Sequence, residues 1–246
     1  MGRGMQNPSH NYDGLIYEAI TFPKFMNTLE IRGIANKLLA KYSMPVPEYA
    51  KSSNGYWSAD KGVTVSGSQV LRWRGTLDLA PPKGLAPHIA LPKSSRNPHP
   101  KYAAVDFRGK GTALASLGKH ASGCGDSWTY FVVVKPLGKI GWKNIFTTYD
   151  APASSVNKAC AEGGCTSKDP YKYEPWSITE IGVHGWHSPD WHPAPLRLNQ
   201  LQVVVYSTKN TNGLTINYYE NGQSPREYTK TNFKQVCLLL YYLLAI

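Results

Sequence analysis

The chain has few cysteines and lacks the short motifs that mark common enzymes. Its 246 residues include four cysteines and no Cys-x-x-Cys pair, which disfavours a zinc ribbon. It also contains no Gly-x-Ser-x-Gly elbow, no Walker loop and no Gly-x-Gly-x-x-Gly turn. We therefore predict that the protein is not an enzyme.

Acidic residues are scarce, with 16 Asp and Glu against 27 Lys and Arg and a formal net charge of +11. We find no clustered carboxylate pair of the kind that glycosidases need around the scissile bond. The excess of positive charge lies in residues 51–140, which hold 13 basic and 4 acidic residues. Such a region attracts anionic glycans, phosphates or acidic protein surfaces, and the alternative is a basic face without a dedicated partner. Sequence-specific nucleic-acid binding is not predicted, because no arginine-rich arm, zinc finger or RNP-like motif is present.

No segment is long enough to span a bilayer. The apolar tail Val236–Ile246 has 11 residues, and a spanning helix takes about 20. This tail could pack as a strand, mediate assembly or reflect an altered reading frame. Residues 1–25 have no apolar h-region, so no secretory signal is predicted.

Tyrosine and tryptophan are abundant, with 16 and 7 copies, and glycines and prolines punctuate the chain. This composition favours a β-sandwich over a helical protein. The strongest pattern is Leu198–Gly222, in which two β-rich runs flank the polar segment Ser207–Gly213. It predicts a hairpin. The second run alternates apolar and polar residues, which predicts a strand with one buried face.

A strand and a helix are predicted near the N-terminus. Residues 13–22 form a β-rich run, with strictly alternating faces expected. Asn27 and Glu30 fit a capping box. The apolar stripe of the helix that follows consists of Ile31, Ile34, Ala35, Leu38 and Tyr42, and Pro45 ends the pattern.

Four stretches between about residues 57 and 223 are similar, in the expected order, to the concanavalin A-like, laminin-G-like jelly rolls. They are Trp57-Ser-Ala-Asp60-Lys-Gly-Val63 with Val70-Leu-Arg-Trp73, Tyr102–Gly109, Trp128–Lys135 and the hairpin Leu198–Gly222. The resemblance implies an all-β fold, an antiparallel jelly-roll β-sandwich with one N-terminal helix.

Residues 1–50 resemble the last strand and terminal helix of the same family, although they begin this chain. The matching residues are Gly14, Glu18, Leu29, Arg32, Ile34, Leu38, Lys41 and Tyr42. The expected division is residues 1–50, a jelly-roll domain over 51–233 and the tail 234–246. Either the chain is part of a tandem array, or residues 10–45 complete the sandwich of residues 55–233. We favour completion, within the chain or from a neighbour.

The resemblance implies a structural, adhesive or assembly module, as found on cell surfaces and in virus and phage appendages. Self-association or neighbouring subunits are the expected partners, with glycans, anionic ones favoured, as a further partner class. An extracellular or virion-surface location follows from the same resemblance. The alternatives are a lectin-like carbohydrate-binding module and a polysaccharide-degrading jelly-roll enzyme that uses Tyr and His.

The segment 181–193 has the residues most suited to a ligand site. Its candidates are Trp186 and Trp191, which could stack on a sugar, with His184, His187, His192 and Asp190. The histidine spacing matches no metal motif, and no metal or cofactor is predicted. Two alternatives stay open: Zn²⁺, Cu²⁺ or Ni²⁺ on the imidazoles and carboxylate of this segment, and calcium, through Asp60, Asp106, Asp126 or Asp150, although no calcium loop is present. Cys160 and Cys165 could close a disulfide in the insertion 151–175, and two reduced thiols are the alternative. The proline-rich segment 81–100 predicts a long ordered or semi-rigid loop.

Overall fold

The computed structural model describes residues 12–42, 55–75, 78–81, 84–108, 112–116, 127–141, 143–149, 176–180, 182–185, 192–193, 195–210, 214–221, 226–230 and 241–244. Over these ranges the chain forms one helix, α1 (Thr28–Lys41), and otherwise strands. The strands are β1 (Asp13–Phe22), β2 (Gly55–Ser58), β3 (Val63–Ser66), β4 (Gln69–Trp73), β5 (Leu79–Ala80), β6 (His88–Ala90), β7 (Ala104–Arg108), β8 (Leu114–Ser116), β9 (Ser127–Pro136), β10 (Asn144–Tyr149), β11 (Trp176–Thr179), β12 (Gly182–Gly185), β13 (His192–Pro193), β14 (Gln202–Asn210), β15 (Leu214–Glu220), β16 (Arg226–Lys230) and β17 (Tyr241–Leu244).

The strand pairs are antiparallel, which confirms the all-β class with one N-terminal helix. The finer assignment to a jelly-roll sandwich stays a prediction. So do the boundaries at residues 50 and 233, since backbone pairing links all three segments: β1 pairs with β2, β7 and β9, and β17 pairs with β8 and β10.

β1 has partner strands on both sides. On one side the strand order is β1–β9–β14–β15–β16. One edge of β1 pairs with β9 along nearly its whole length. The other edge pairs with β7 at its start and with β2 at its end. The N-terminal strand is thus hydrogen-bonded on both sides by strands that follow it in the chain.

A β-bulge interrupts β1, since its register with β9 shifts between Ile16 and Glu18. The expectation of strict alternation along residues 13–22 is wrong for this reason. Tyr17 and Ile20 pack on the same side of the sheet, whereas Ile16 and Ala19 pack on the other. The extra residue of a bulge resets the alternation of faces, and here it directs Glu18 toward the helix.

The predicted hairpin is confirmed, with β14 and β15 paired from Val204↔Glu220 to Asn210↔Leu214. Asn221 follows with a φ of 49°, a conformation that asparagine tolerates. The expectation of a single buried face is wrong, because both faces of β15 are covered. Ile216 and Tyr218 pack on one side, and Tyr219 packs on the side that α1 covers.

The predicted helix start is confirmed. The Asn27 side chain accepts from the backbone N–H groups of Leu29 and Glu30 at 2.9 and 3.0 Å, and the Glu30 carboxylate accepts from the Asn27 N–H at 2.9 Å. Ile31, Ala35 and Leu38 of the expected stripe are fully buried. The segment before the helix is fixed to the sheet, since Met26 N–H donates to Ser207 Oγ at 3.1 Å.

Two hydrophobic clusters flank the central sheet. The helix-side cluster joins α1 to one face, through Leu15, Tyr17, Ile20, Phe131, Val133, Val203, Val205, Tyr219, Ile31, Ala35 and Leu38. The inner cluster joins the other face to the remaining strands, through Ile16, Ala19, Trp57, Trp73, Leu79, Phe107, Leu114, Val132, Ile145, Val204 and Ile216. Burial of both faces accounts for the nearly continuous apolar sequence of β9 and β14.

The remaining strands pair in the order β3–β4–β5–β8–β17–β10–β11–β12–β13. β17 comes from the apolar tail, so residues 241–244 form a strand, one of the arrangements that the tail sequence left open. It lies between β8 and β10. Residue Leu243, for example, is opposite Ala115 on one side and Thr147 on the other.

The proline-rich segment 81–100 is partly a loop, as expected, but it also contains the short strand β6. The fully buried Asn97 fixes the loop after β6. Its Nδ2 donates to the carbonyls of Ala90 and Tyr102 at 3.0 and 2.9 Å, and its Oδ1 accepts from the Tyr17 hydroxyl at 2.6 Å. Among the described residues no helix has the length and hydrophobicity needed to cross a membrane.

Candidate functional site

The tryptophan and histidine segment stays a prediction. His184 lies on β12 and His192 on β13, where His192 is opposite Val183, so the two histidines are offset by one position along the paired strands. Trp186, His187, Asp190 and Trp191 lie outside the described residues, as do Cys160 and Cys165. The structure therefore places the two ends of this segment on neighbouring strands.

Two of the four aspartates considered for calcium are described, and both have partners in the protein. Asp60 Oδ1 accepts from Ser58 Oγ at 2.6 Å, and Asp106 is paired with two arginines. Asp126 and Asp150 lie outside the described residues. Over the ranges that the structure covers, no group of three or more His, Cys, Asp and Glu side chains is arranged to hold a metal ion.

Glu18 and Lys41 form a buried ion pair between the bulge of β1 and the end of α1. Lys41 Nζ donates to Glu18 Oε2 at 2.7 Å, and the Tyr42 hydroxyl donates to the same oxygen at 3.0 Å. The Lys41 and Glu18 side chains are 1% and 0% exposed. Lys41 Nζ also lies 3.3 Å from Ser58 Oγ and 4.0 Å from Asp60 Oδ1. The ammonium group is therefore surrounded by oxygen acceptors.

This cluster unites residues from two separate sequence motifs. Glu18, Lys41 and Tyr42 belong to the N-terminal stretch, and Asp60 belongs to the stretch that begins at Trp57. The residue spacing within each motif does not predict a contact between the two motifs. Only the docking of α1 beside β1 and β2 brings their side chains together.

Charge keeps Lys41 protonated. Burial lowers the pKa of Lys41, but the Glu18 carboxylate outweighs burial through its charge and hydrogen bond, so the pKa lies above its ordinary value. A lysine that serves as a nucleophile or general base needs a lowered pKa. The pair is therefore suited to anchoring the helix and unsuited to attacking a substrate.

His99 is a histidine with a defined role that the sequence patterns did not single out. Its Nδ1 accepts from the N–H groups of Lys101 and Tyr102 at 3.2 and 3.0 Å. Nε2 consequently carries the proton and donates to the Tyr42 carbonyl at 3.0 Å. The ring also lies 5.8 Å from the ring centre of Tyr17. Both ring nitrogens are engaged within the protein, so His99 joins the loop to the helix.

A second charged cluster centres on Asp106 of β7. Asp106 is buried, and its carboxylate accepts from Arg96 at 2.8–3.2 Å and from Arg108 Nε at 3.0 Å. Arg96 also donates to Asp13 Oδ1 at 3.1 Å. The hydrogen bonds with Asp106 raise the pKa of Arg96, which stays charged. The cluster connects β7, β1 and the loop after β6.

Glu180 differs from these groups, because it is fully buried without a cationic hydrogen-bond partner among the described residues. Its Oε2 accepts from the Gly141 N–H at 2.9 Å, while Oε1 has no hydrogen-bond partner in the described part of the chain. Burial raises the pKa of Glu180 to about 8, an effect that the charge of Lys143 and the Gly141 hydrogen bond reduce. Burial without a cationic hydrogen-bond partner among the described residues therefore favours the protonated carboxyl group.

No family model, no curated protein and no solved structure matches the chain. The interpretation therefore depends on the geometry alone. Both ion-paired clusters connect elements of the fold, and their cations stay charged. The one signal that could have pointed to the buried pair is the presence of Glu18, Lys41 and Tyr42 in the N-terminal resemblance.

Proposed function

We propose that this protein is a non-enzymatic structural or assembly module of the laminin-G-like type. The observation that supports this proposal most directly is the position of β17. A strand from the C-terminal tail lies between β8 and β10 and joins two groups of strands, β3–β4–β5–β8 and β10–β11–β12–β13.

Loss of β17 would leave the β8 and β10 edges unpaired. Exposed strand edges pair readily with strands of other chains. A short terminal strand that fills such a gap can be supplied by its own chain or by a neighbour, which is a common basis of subunit assembly. The pairing of Lys41 with Glu18, and of Asp106 with Arg96 and Arg108, also supports a structural role, because these ion pairs hold elements together.

The test is the mass of the protein in solution, measured by light scattering on the full chain and on a chain that lacks residues 236–246. We expect the deletion to change the oligomeric state. Removal of residues 245–246 alone is the matched control, since it leaves β17 complete, and it should change nothing. Identical masses for all three chains, with unchanged circular dichroism, would contradict an assembly role for the tail.

A carbohydrate-binding module is the second candidate. It is favoured by the exposed cations of the basic region 51–140, which include Lys61, Arg74, Lys93, Lys101 and Lys139. A screen with sulfated and neutral oligosaccharides would test it, with Trp191→Ala against Lys93→Ala. Loss of binding in the tryptophan variant would favour the segment 181–193, whereas salt-sensitive loss in the lysine variant would favour the basic face. Absence of binding to every glycan would remove this candidate and leave the assembly proposal intact.

A further inference from the structure

The connection between β9 and β10 is held at both ends by acidic residues. At its start, Leu137 and Gly138 N–H donate to the Asp13 carbonyl at 2.8 and 3.0 Å. At its end, Gly141 N–H donates to the Glu180 carboxyl at 2.9 Å, and Glu180 N–H donates to the Lys143 carbonyl at 2.9 Å. Glu180 lies at the turn between β11 and β12, so it links that pair of strands to this connection.

Burial, and not the balance of nearby charges, disfavours the ionised form of Glu180, since the charge of Lys143 favours ionisation more than the Asp13 carboxylate opposes it. Among the described residues, the charge of Lys143 lowers the pKa of Glu180. The Asp13 carboxylate raises it, although Asp13 is itself paired with Arg96. Tyr12 is also fully buried, and its pKa is raised by burial and next by the charge of Glu180. An ionised Glu180 would therefore be a buried carboxylate with one oxygen that lacks a donor within the described residues.

We propose that Glu180 is a pH-sensitive latch, which holds the β11–β12 strands to the β9–β10 connection while protonated and loosens that hold when it ionises. The physical basis is the cost of a buried, poorly solvated carboxylate. The Gly141 hydrogen bond favours the ionised form but offsets this cost only in part, whereas the protonated form keeps the bond without the cost.

The sign of the pH effect follows from proton binding. The folded-state pKa of Glu180, about 8, lies above the value of about 4.3 for an unfolded glutamate. Between these values the folded state binds more protons than the unfolded state, so stability falls as the pH rises. This contribution is complete below the unfolded pKa and is lost once the pH exceeds the folded one.

The experiment compares the full chain with Glu180→Gln, which keeps the shape and an acceptor for Gly141 but cannot ionise. Amide exchange of Gly141 is measured at matched pH in both proteins, so that the intrinsic pH dependence of exchange cancels. From about pH 5 to about pH 9 we expect the wild-type rate relative to the variant to rise at least about tenfold. Glu30→Gln is the matched control. The hydrogen bond from Lys24 lowers the pKa of Glu30, so this glutamate does not titrate between pH 5 and pH 9. The exchange rate of Gly141 in this variant should therefore change with pH as it does in the wild type.

A second measurement keeps the proposal testable if Glu180→Gln does not fold. Carbon NMR of the glutamate carboxyl groups should show one group that titrates near pH 8. Lys143→Gln should move that midpoint to higher pH, because the Lys143 charge favours the ionised form. Equal pH dependence in the wild type and Glu180→Gln, or titration of every glutamate at ordinary acid pH, would overturn the proposal.

Discussion

Glu18 and Glu180 are both fully buried glutamates, yet their surroundings differ in kind. Glu18 accepts from the Lys41 ammonium and the Tyr42 hydroxyl. Glu180 accepts from one backbone N–H and has a carboxyl oxygen without a partner in the described part of the chain. The first is charge-paired and fixes the helix, whereas burial raises the pKa of the second to about 8.

The difference shows that burial alone does not fix the charge of an acid. Removal from water disfavours the ionised form in both cases, and only a nearby cation with well-aligned donors offsets that cost. In this chain the sequence supplies the cation at the end of α1, where a lysine side chain is also favourable to the helix dipole. No hydrogen bond from a described cationic side chain reaches Glu180, and burial raises the pKa of its carboxyl group.

Removal of the cation from the first site is the most severe test of this comparison. Lys41→Met should lower the free energy of unfolding by about 3–5 kcal/mol, because it leaves Glu18 buried without its counter-ion. Denaturant unfolding measures the loss. Lys24→Met is the matched control, since its ion pair with Glu30 is exposed and such pairs contribute less than about 1 kcal/mol.

The double variant Glu18→Gln, Lys41→Met gives the sharper result. It removes both charges and leaves an acceptor for Tyr42, so it should regain most of the stability that Lys41→Met loses. A double variant as unstable as the single one would mean that packing of the lysine stem, and not charge pairing, dominates this site.

An intermediate effect is expected at Asp106, which is buried but pairs with half-exposed arginines. Asp106→Asn should cost about 1.5–3 kcal/mol, the range for hydrogen bonds to charged groups. The control is Asp78→Asn, whose pair with Arg72 is half exposed at both ends. Equal losses for the two variants in thermal unfolding would show that burial of the acid adds nothing.

The smallest effect is expected at the exposed start of α1. Asn27→Ala should cost about 1 kcal/mol through loss of the N-cap. Asn36→Ala is the control, because Asn36 is exposed within the same helix and alanine favours helix there. Helix content by circular dichroism and the melting temperature measure both. A larger loss for Asn36→Ala would contradict the capping argument.

Local patterns predicted the local structure well. Asn27 and Glu30 identified the helix start, and the β14–β15 hairpin followed from two β-rich runs around a polar segment. These features depend on residues a few positions apart. The predicted assignment of β1 side chains to the two faces of the sheet was wrong beyond Tyr17, because a β-bulge depends on the register with the partner strand.

The candidate site was harder to predict. The many tryptophans and histidines of residues 184–192 predicted a ligand site there. The polar clusters among the described residues centre instead on Lys41, Asp106 and Glu180. A single lysine or glutamate has no sequence pattern that reveals its burial. The burial of both faces of β15 was also not predicted, because α1, which covers one of these faces, lies far from β15 in the chain.

The sequence by itself determined the β-rich class, the single capped helix and the closing hairpin, because turn, capping and alternation preferences act over a few residues. The tertiary structure alone decided that β1 lies between strands that follow it, that the apolar tail supplies β17, and which buried glutamate has a cationic partner. Those outcomes depend on long-range pairing and on the distance from each carboxyl group to a cation, and the order of residues in the chain specifies neither locally.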